Sequence, residues 1–559
     1  MKKFSLIFIL ALAASGTAAT MAQPQGDAGQ DVSPDTAMAR NLATFNTISR
    51  QLGQYYVDSI RPDVAFGAAI DAFLNTVDPY TEYFNSEERE SLQVMTTGAY
   101  GGIGALVTGR SGDTFISMPL EGSPAFRAGL KAGDRILRVD STDVTGHPVD
   151  FTTKHLKGDP GTMVTVVVER PYSTDSILSF NILRERVQEK SVPFAGVVDG
   201  IGVVKLNSFM EKSPREVRDA LEAFKANPEV KGVILDLRNN GGGLVDAAVD
   251  ILGNFLPRST QVLEMKGRAE SSNKTYSTSH TPLLPETPLV VLIDEGSASA
   301  SEITAGALQD LDRAVLIGRR SFGKGLVQST LQLPYNGLLK VTTAKYYLPS
   351  GRLIQALDYS RRNPDGSVAP TPDSLTNEYT TRHGRTVRDG GGLVPDSVVP
   401  LPDYSRLVYN LVVANQIFDY ATKFAATHPE IAPAGEFRIS DDIFADFVAF
   451  VDTAKIKSDK VGERLVDELR KTARTEGFMT DELSAALDSL SPLVAPDLRR
   501  DLYNKRDEIE EFLGREIVSR YYNQAGEEEY SLHFDEEFTV ARDILSNPEL
   551  YKSLLSPRK

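Results

Sequence analysis

A chain of 559 residues is too long for one hydrophobic core, and at 41% apolar and 24% charged it has the composition of an ordinary soluble protein of three or four domains. Its formal net charge of −16 argues against nucleic acid, whose phosphates would be repelled, and against attachment to an anionic membrane through a basic patch. With no cysteine, the chain has no disulfides, no thiolate metal sites and no lipid attached at a cysteine.

Lys2-Lys3, the apolar run Phe4 to Ala14 and small residues up to Ala22 read as a secretory signal over residues 1–22, with cleavage after Ala22 or after Ala18. The apolar run is shorter than the ~20 residues a membrane span needs. The expected protein is exported, periplasmic or secreted, without an integral span after cleavage; membrane association stays open. Residues 23–40, rich in Gln, Gly, Asp and Pro, are expected to be a flexible linker. An N-terminal helical segment follows over 41–95, with Leu42, Phe45, Ile48 and Leu52 at helical spacing and a second helix from Val64 to Leu74. Asp78-Pro79-Tyr80-Thr81 breaks the pattern.

Residues 96–187 read as a compact unit of short strands. Gly101-Gly102-Ile103-Gly104 leads into a strand, Ser123-Pro124 starts a short helix, Gly129 and Gly133 end it, and Ile136 to Asp140 and Val164 to Val168 are strands. This order resembles a PDZ domain. The resemblance implies that the Gly101–Gly104 backbone binds a peptide's terminal carboxylate while the peptide adds as an extra strand; otherwise these glycines simply make a tight turn.

From 188 to 404 strands and helices alternate, which predicts a largely parallel sheet with covering helices. Asp236-Leu237-Arg238-Asn239-Asn240-Gly241-Gly242-Gly243 is a glycine-rich strand-to-helix turn whose N–H groups can face a ligand. No G-x-x-x-x-G-K-[ST] pattern accompanies it to suggest phosphate. Leu289 to Ile293 is a buried strand, followed by Ser297-Ala298-Ser299-Ala300-Ser301 and a helical pattern from Glu302 to Leu311. A second strand, Ala314 to Gly318, leads to Phe322-Gly323-Lys324-Gly325. Residues 405–559 read as a helical extension without a catalytic constellation, solvated in the simplest reading.

These motifs, in this order, resemble the carboxyl-terminal processing peptidases, or tail-specific proteases, over roughly residues 40 to 400. The resemblance implies a multidomain α/β protein: a ClpP/crotonase-like peptidase core with an inserted PDZ domain, an N-terminal helical segment and an α-helical C-terminal extension. It implies a serine endopeptidase with Ser299 as nucleophile, Lys324 as general base and Gln328 aiming the lysine; Asp310 matches an acidic position of lower rank. Expected partners are protein or peptide substrates with free C-termini, and no cofactor or metal. The helical N- and C-terminal regions are candidate surfaces for a homo-oligomer. The alternative is a non-catalytic scaffold that binds C-terminal peptides on the same fold.

Each residue also has a plainer reading. Ser299-Ala300-Ser301-Glu302 fits a capping box, and Lys324 alone would be a solvated loop charge. As a base Lys324 must be neutral, and moving its pKa from ~10.4 to about 7–8 needs on the order of 4 kcal/mol, which burial can supply. If the chain is extended after Gly323, residues 324, 326 and 328 share a face and Gln328 reaches the lysine; otherwise it is an outward polar residue. The Ala300 amide is one candidate oxyanion donor, and Gly241 or Gly242 supplies the other.

Overall fold

The computed structural model describes residues 33–557 apart from 364, 453–454 and 457–459. The expected signal peptide and the first part of the expected linker therefore lie outside the described residues. The helix Pro34–Tyr55 begins inside the stretch expected to be linker, because the Ser33 hydroxyl accepts the Thr36 N–H and Pro34 stands at the first helical position. It faces the helix Pro62–Leu74 through an edge-on contact of Phe45 with Phe66.

The core is a six-stranded sheet of Phe194–Val198, Ile201–Lys205, Gly232–Asp236, Leu289–Ile293, Val315–Gly318 and Ser397–Val398, in that spatial order. The first pair is antiparallel and the others are parallel. Side chains alternate across a strand, so an unbroken apolar run means that both faces are covered. Val233, Leu235, Val291 and Leu316 pack with the helices Ser213–Ala226, Val245–Leu252 and Ala300–Asp310. Ile201, Ile234, Val290 and Ile317 pack with Phe538, Ala541, Ile544 and Leu545 of the helix Glu536–Ser546.

This second layer corrects the reading of residues 405–559 as a solvated extension. Their helix Glu536–Ser546 is a structural layer of the core sheet, and the helices before it enclose a separate core around Tyr420, Phe444, Phe447 and Ile517. Charge ties the layer down as well. Arg238 pairs with Asp236, with Asp535 at 2.6 Å and with Glu537, and Arg319 pairs with Glu537 at 2.5 Å.

A second, antiparallel sheet holds Glu82–Phe84, Leu338–Tyr347, Gln261–Gly267 and Lys274–Ser277, with Leu326–Gln332 also pairing to Leu338–Tyr347. The PDZ-like unit enters and leaves through a two-stranded neck, Ala99–Gly102 against Glu185–Gln188. Its own sheet runs Ala105–Arg110, Asp113–Pro119, Arg135–Val139, Met163–Glu169, Ile177–Leu183, which leaves Ala105–Arg110 as an edge strand. The unit sits against the C-terminal helices: the Arg110 guanidinium pairs with Asp419 and lies 4.3 Å from the centre of the Phe418 ring.

Candidate active site

Strand Leu289–Ile293 delivers the serine-rich turn to one end of the sheet, and the three serines there separate by environment. Ser297 is fully buried, its hydroxyl donating to Leu237 O at 2.8 Å and accepting the Asp294 N–H at 2.9 Å. Ser301 is fully buried and donates to Asn240 O at 2.8 Å. Ser299 alone of the three lines a cavity of about 1200 Å³. Its backbone has φ 55 and ψ −114, a region that non-glycine residues rarely occupy and that costs on the order of 1–3 kcal/mol. Ser299 and Glu302 are placed as a capping box, yet the hydroxyl makes no cap hydrogen bond. The half formed with full geometry is the Ser299 N–H donating to the Glu302 carboxylate at 2.9 Å.

That carboxylate does more than cap. Fully buried, it also accepts the Gly323 N–H at 2.7 Å, the Lys324 N–H at 2.9 Å and the Ser321 hydroxyl at 2.5 Å. Burial pushes its pKa up and the four hydrogen bonds pull the other way. One side chain thus fixes the serine turn and the lysine loop to each other. Glycine is needed on both sides of the lysine: a Cβ on Gly323, at φ +87, would come within 2.6 Å of Ala356 Cβ, and one on Gly325 within 2.9 Å of Gln355 N.

Lys324 lines the same cavity as Ser299. Its Nζ lies 4.3 Å from the centre of the Tyr80 ring, and no hydrogen bond joins it to Ser299 among the described residues. Burial, helped by the nearby Lys340 ammonium, lowers its pKa from 10.5 to about 8. Tyr80 arrives there through the turn Asp78-Pro79-Tyr80-Thr81, a part of the family resemblance to which the sequence gives no role at the lysine. Asp78 Oδ1 accepts the Tyr80 and Thr81 N–H groups, both at 2.8 Å, and turns the chain into strand Glu82–Phe84.

Gln328 lines the cavity too, but its amide donates to Thr342 Oγ1 at 3.1 Å rather than to the lysine. A register shift between Val327 and Gln328 interrupts the regular pairing with the neighbouring strand, so simple alternation from residue 324 does not describe it. Asp310 is at the far end of the helix from Ser299, roughly 16 Å away at 1.5 Å per residue. It forms a buried ion pair with Arg352 at 2.7 Å and accepts the Ser350 N–H at 3.0 Å. Its position makes it a support of the fold around residues 350–352.

Of the two glycines, Gly242 is closest to the serine: a Cβ there would lie 2.9 Å from Ser299 Cβ and 2.8 Å from Ala300 N. Its own N–H donates to Asn240 Oδ1 at 2.9 Å. Gly241 lies exposed on the cavity wall, and its N–H has no partner among the described residues. The Ala300 N–H is the first of its helix and has no intrahelical acceptor. In the PDZ-like unit, Gly101 and Gly102 belong to the neck strand. Ile103 O accepts the Ala125 N–H and Gly104 O accepts the Leu120 N–H. The Ile103 and Gly104 N–H groups have no partner among the described residues.

Comparison with known proteins agrees with this layout. Residues 200–365 match the family model of peptidase family S41, residues 91–169 that of the PDZ domain, and residues 407–545 that described as probable PDZ-protease, C-terminal helical domain. A carboxy-terminal-processing protease of Bartonella bacilliformis is 35% identical over 321 residues, covering 57% of this chain and 73% of the relative. A probable CtpA-like serine protease of Staphylococcus haemolyticus is 32% identical over 411 residues, covering 72% of this chain and 80% of the relative. Among solved structures, the photosystem II D1 C-terminal processing protease is 27% identical over 64% of this chain and 86% of its own, with a TM-score of 0.34.

Proposed function

We propose a mechanism from one premise: this chain belongs to the carboxy-terminal-processing proteases of peptidase family S41 and is a serine-type peptidase. Ser299 is the nucleophile and Lys324 its general base. The observation that carries this is a lysine held at about 8 by burial, in the same cavity as a serine whose two neighbours in the turn are buried and hydrogen-bonded.

Neutral Lys324 and Ser299 face the same cavity, and their hydrogen bond forms with substrate bound, as catalytic hydrogen bonds commonly tighten only then. The amine takes the Ser299 proton as Oγ attacks the scissile carbonyl. The resulting oxyanion is held by the Ala300 N–H and the free Gly241 N–H. The ammonium then protonates the departing amine, leaving an acyl-enzyme, and the amine, neutral again, activates water to release it. Gln328 and Thr342 shape the wall beside the lysine. The PDZ-like unit captures a substrate's C-terminal carboxylate on the Ile103 and Gly104 N–H groups and adds the tail to edge strand Ala105–Arg110.

The mature protein works outside the cytoplasm, on the strength of the residue 1–22 pattern; mass spectrometry of a periplasmic or culture fraction should find a chain beginning after Ala22 or Ala18. The mechanism is tested with an unfolded substrate whose C-terminal residues vary. Wild type should cleave with a preference for apolar tails. Ser299→Ala and Lys324→Ala should each lose at least about 10⁴-fold in kcat. Equal turnover by all three proteins would overturn the dyad.

A further inference from the structure

Residues 506–531 are assigned as one helix, Arg506–Ser531, yet the chain inside it turns back on itself. Asn523 has φ 53 and ψ −154, far from helical values and in a region used almost only by glycine. On either side the two arms lie against each other. Tyr530 donates to Glu510 O at 3.2 Å, and Arg515 pairs with Glu527 at 2.9 Å. A Cβ on Gly514 would strike Tyr530 Oη at 2.0 Å, and one on Gly526 would strike Tyr522 Cβ at 2.2 Å. The segment is a hairpin of two helical arms, 506–522 and 524–531, reversing at a single strained residue.

The tip of this hairpin, Tyr522 to Ala525, forms part of the wall of the cavity that contains Ser299 and Lys324. Leu106, on the PDZ-like unit's edge strand, lines that cavity too. At the tip the side chains of Asn523 and Gln524 are half-buried, and neither has a hydrogen-bond partner among the described residues. Each carries one acceptor and two N–H donors. A primary amide is uncharged and offers the complement of a peptide unit, so such a pair suits the main chain of an extended polypeptide whatever its side chains. A strained backbone is retained where the surrounding structure over-determines it, and binding sites are a common setting.

We propose that the hairpin tip is a subsite of the peptidase, in which Asn523 and Gln524 hydrogen-bond the main chain of the substrate and hold it beside Ser299. This rests on the peptidase reading above and extends it: a wall of the substrate channel comes from the C-terminal helices. Neither residue touches the reacting atoms. Both are positioning residues, acting on the affinity and alignment of the chain to be cut.

The test compares wild type with Asn523→Gly/Gln524→Ala, the glycine chosen because it takes the observed φ and ψ without strain. Three measurements are made on the full chain: steady-state cleavage of two unfolded substrates of different sequence with the same tail, phosphonylation of Ser299 by a small fluorophosphonate with loss of fluoride, and binding of a fluorescent tail peptide. The double variant should lose roughly 5- to 30-fold in kcat/KM on both substrates, chiefly through KM, as expected for two lost hydrogen bonds. Phosphonylation and tail binding should stay within twofold of wild type. Unchanged kcat/KM overturns the subsite, as does a parallel fall in phosphonylation, which would make the tip a mere support of the catalytic turn. A loss confined to one substrate overturns main-chain recognition. A wild type that neither cleaves nor is phosphonylated instead overturns the peptidase reading itself.

Discussion

Ser299 is held by its backbone, whereas Lys324 is set by what surrounds its side chain. The serine sits at a strand-to-helix junction with a positive φ, and a glycine turn presses against it from the facing loop. The lysine rides a loop whose backbone is fixed by Glu302, but its chemistry comes from desolvation beside Tyr80. A nucleophile needs a fixed position, which covalent geometry supplies. A base needs a chosen pKa, which only the local dielectric and neighbouring charges supply. The two halves of the dyad should therefore fail in different ways.

The sharpest way to break the serine half without touching its hydroxyl is Gly242→Ala. The added methyl meets Ala298 O at 2.7 Å and Ala300 N at 2.8 Å, at a φ of +99 that alanine resists. Displacing the turn and an oxyanion donor should cost about 10²–10³ in kcat, with tail-peptide binding unaltered. A loss of less than threefold would show that the glycine turn does not hold the serine.

The lysine half should respond in stability. The folded protein holds Lys324 at about 8, below its ordinary 10.5, so the unfolded chain binds the proton more tightly. Stability then rises with pH between those two values, and below about pH 8 the lysine imposes its full penalty. Lys324→Met removes it and should stabilise the inactive protein by about 3 kcal/mol at pH 7, an advantage that fades by about pH 10.5. Urea unfolding at the two pH values measures this; an equal effect at both would mean packing rather than charge is responsible.

Tyr80→Ala is the gentlest probe. Removing the ring admits water to the amine and relaxes the burial that is the largest cause of its lowered pKa. The inflection of kcat/KM against pH, expected near 8 in wild type, should move up by about one unit, lowering activity at pH 7 about tenfold. An unmoved inflection would remove Tyr80 from the tuning of the base.

Much of the site was legible because its motifs are local. A serine-rich turn after Leu289–Ile293, a lysine between glycines and a triple-glycine turn all leave marks within a few residues. What stayed hidden depends on segments far apart in the chain. Glu302 reads as a helix cap until residues 321–324 fold onto it. Tyr80 reads as part of a helix-breaking turn until the lysine is brought to its ring. Gln328 was placed by strand alternation, and the neighbouring strand's shifted register gave it Thr342 instead. The reversal at Asn523 has no proline at the turn, and although Asn523 and Gly526 are weak helix formers, the acidic run Glu527-Glu528-Glu529 beyond them carries the helical reading through it. The role of the C-terminal region was misread because an amphipathic helix looks the same whether its apolar stripe faces a bundle or a sheet.

The helix Glu536–Ser546 reaches back more than two hundred positions to lie on Ile201, Ile234, Val290 and Ile317. Contacts so distant in sequence form late, because a long loop must close before they repay its entropy. Until they form, those strands lack the apolar cover of Phe538, Ala541, Ile544 and Leu545, and Arg238, next to the glycine turn, lacks Asp535 and Glu537. A chain ending before Asp535 therefore lacks both the apolar cover of one face of the sheet and two of the carboxylates that hold Arg238 beside the glycine turn.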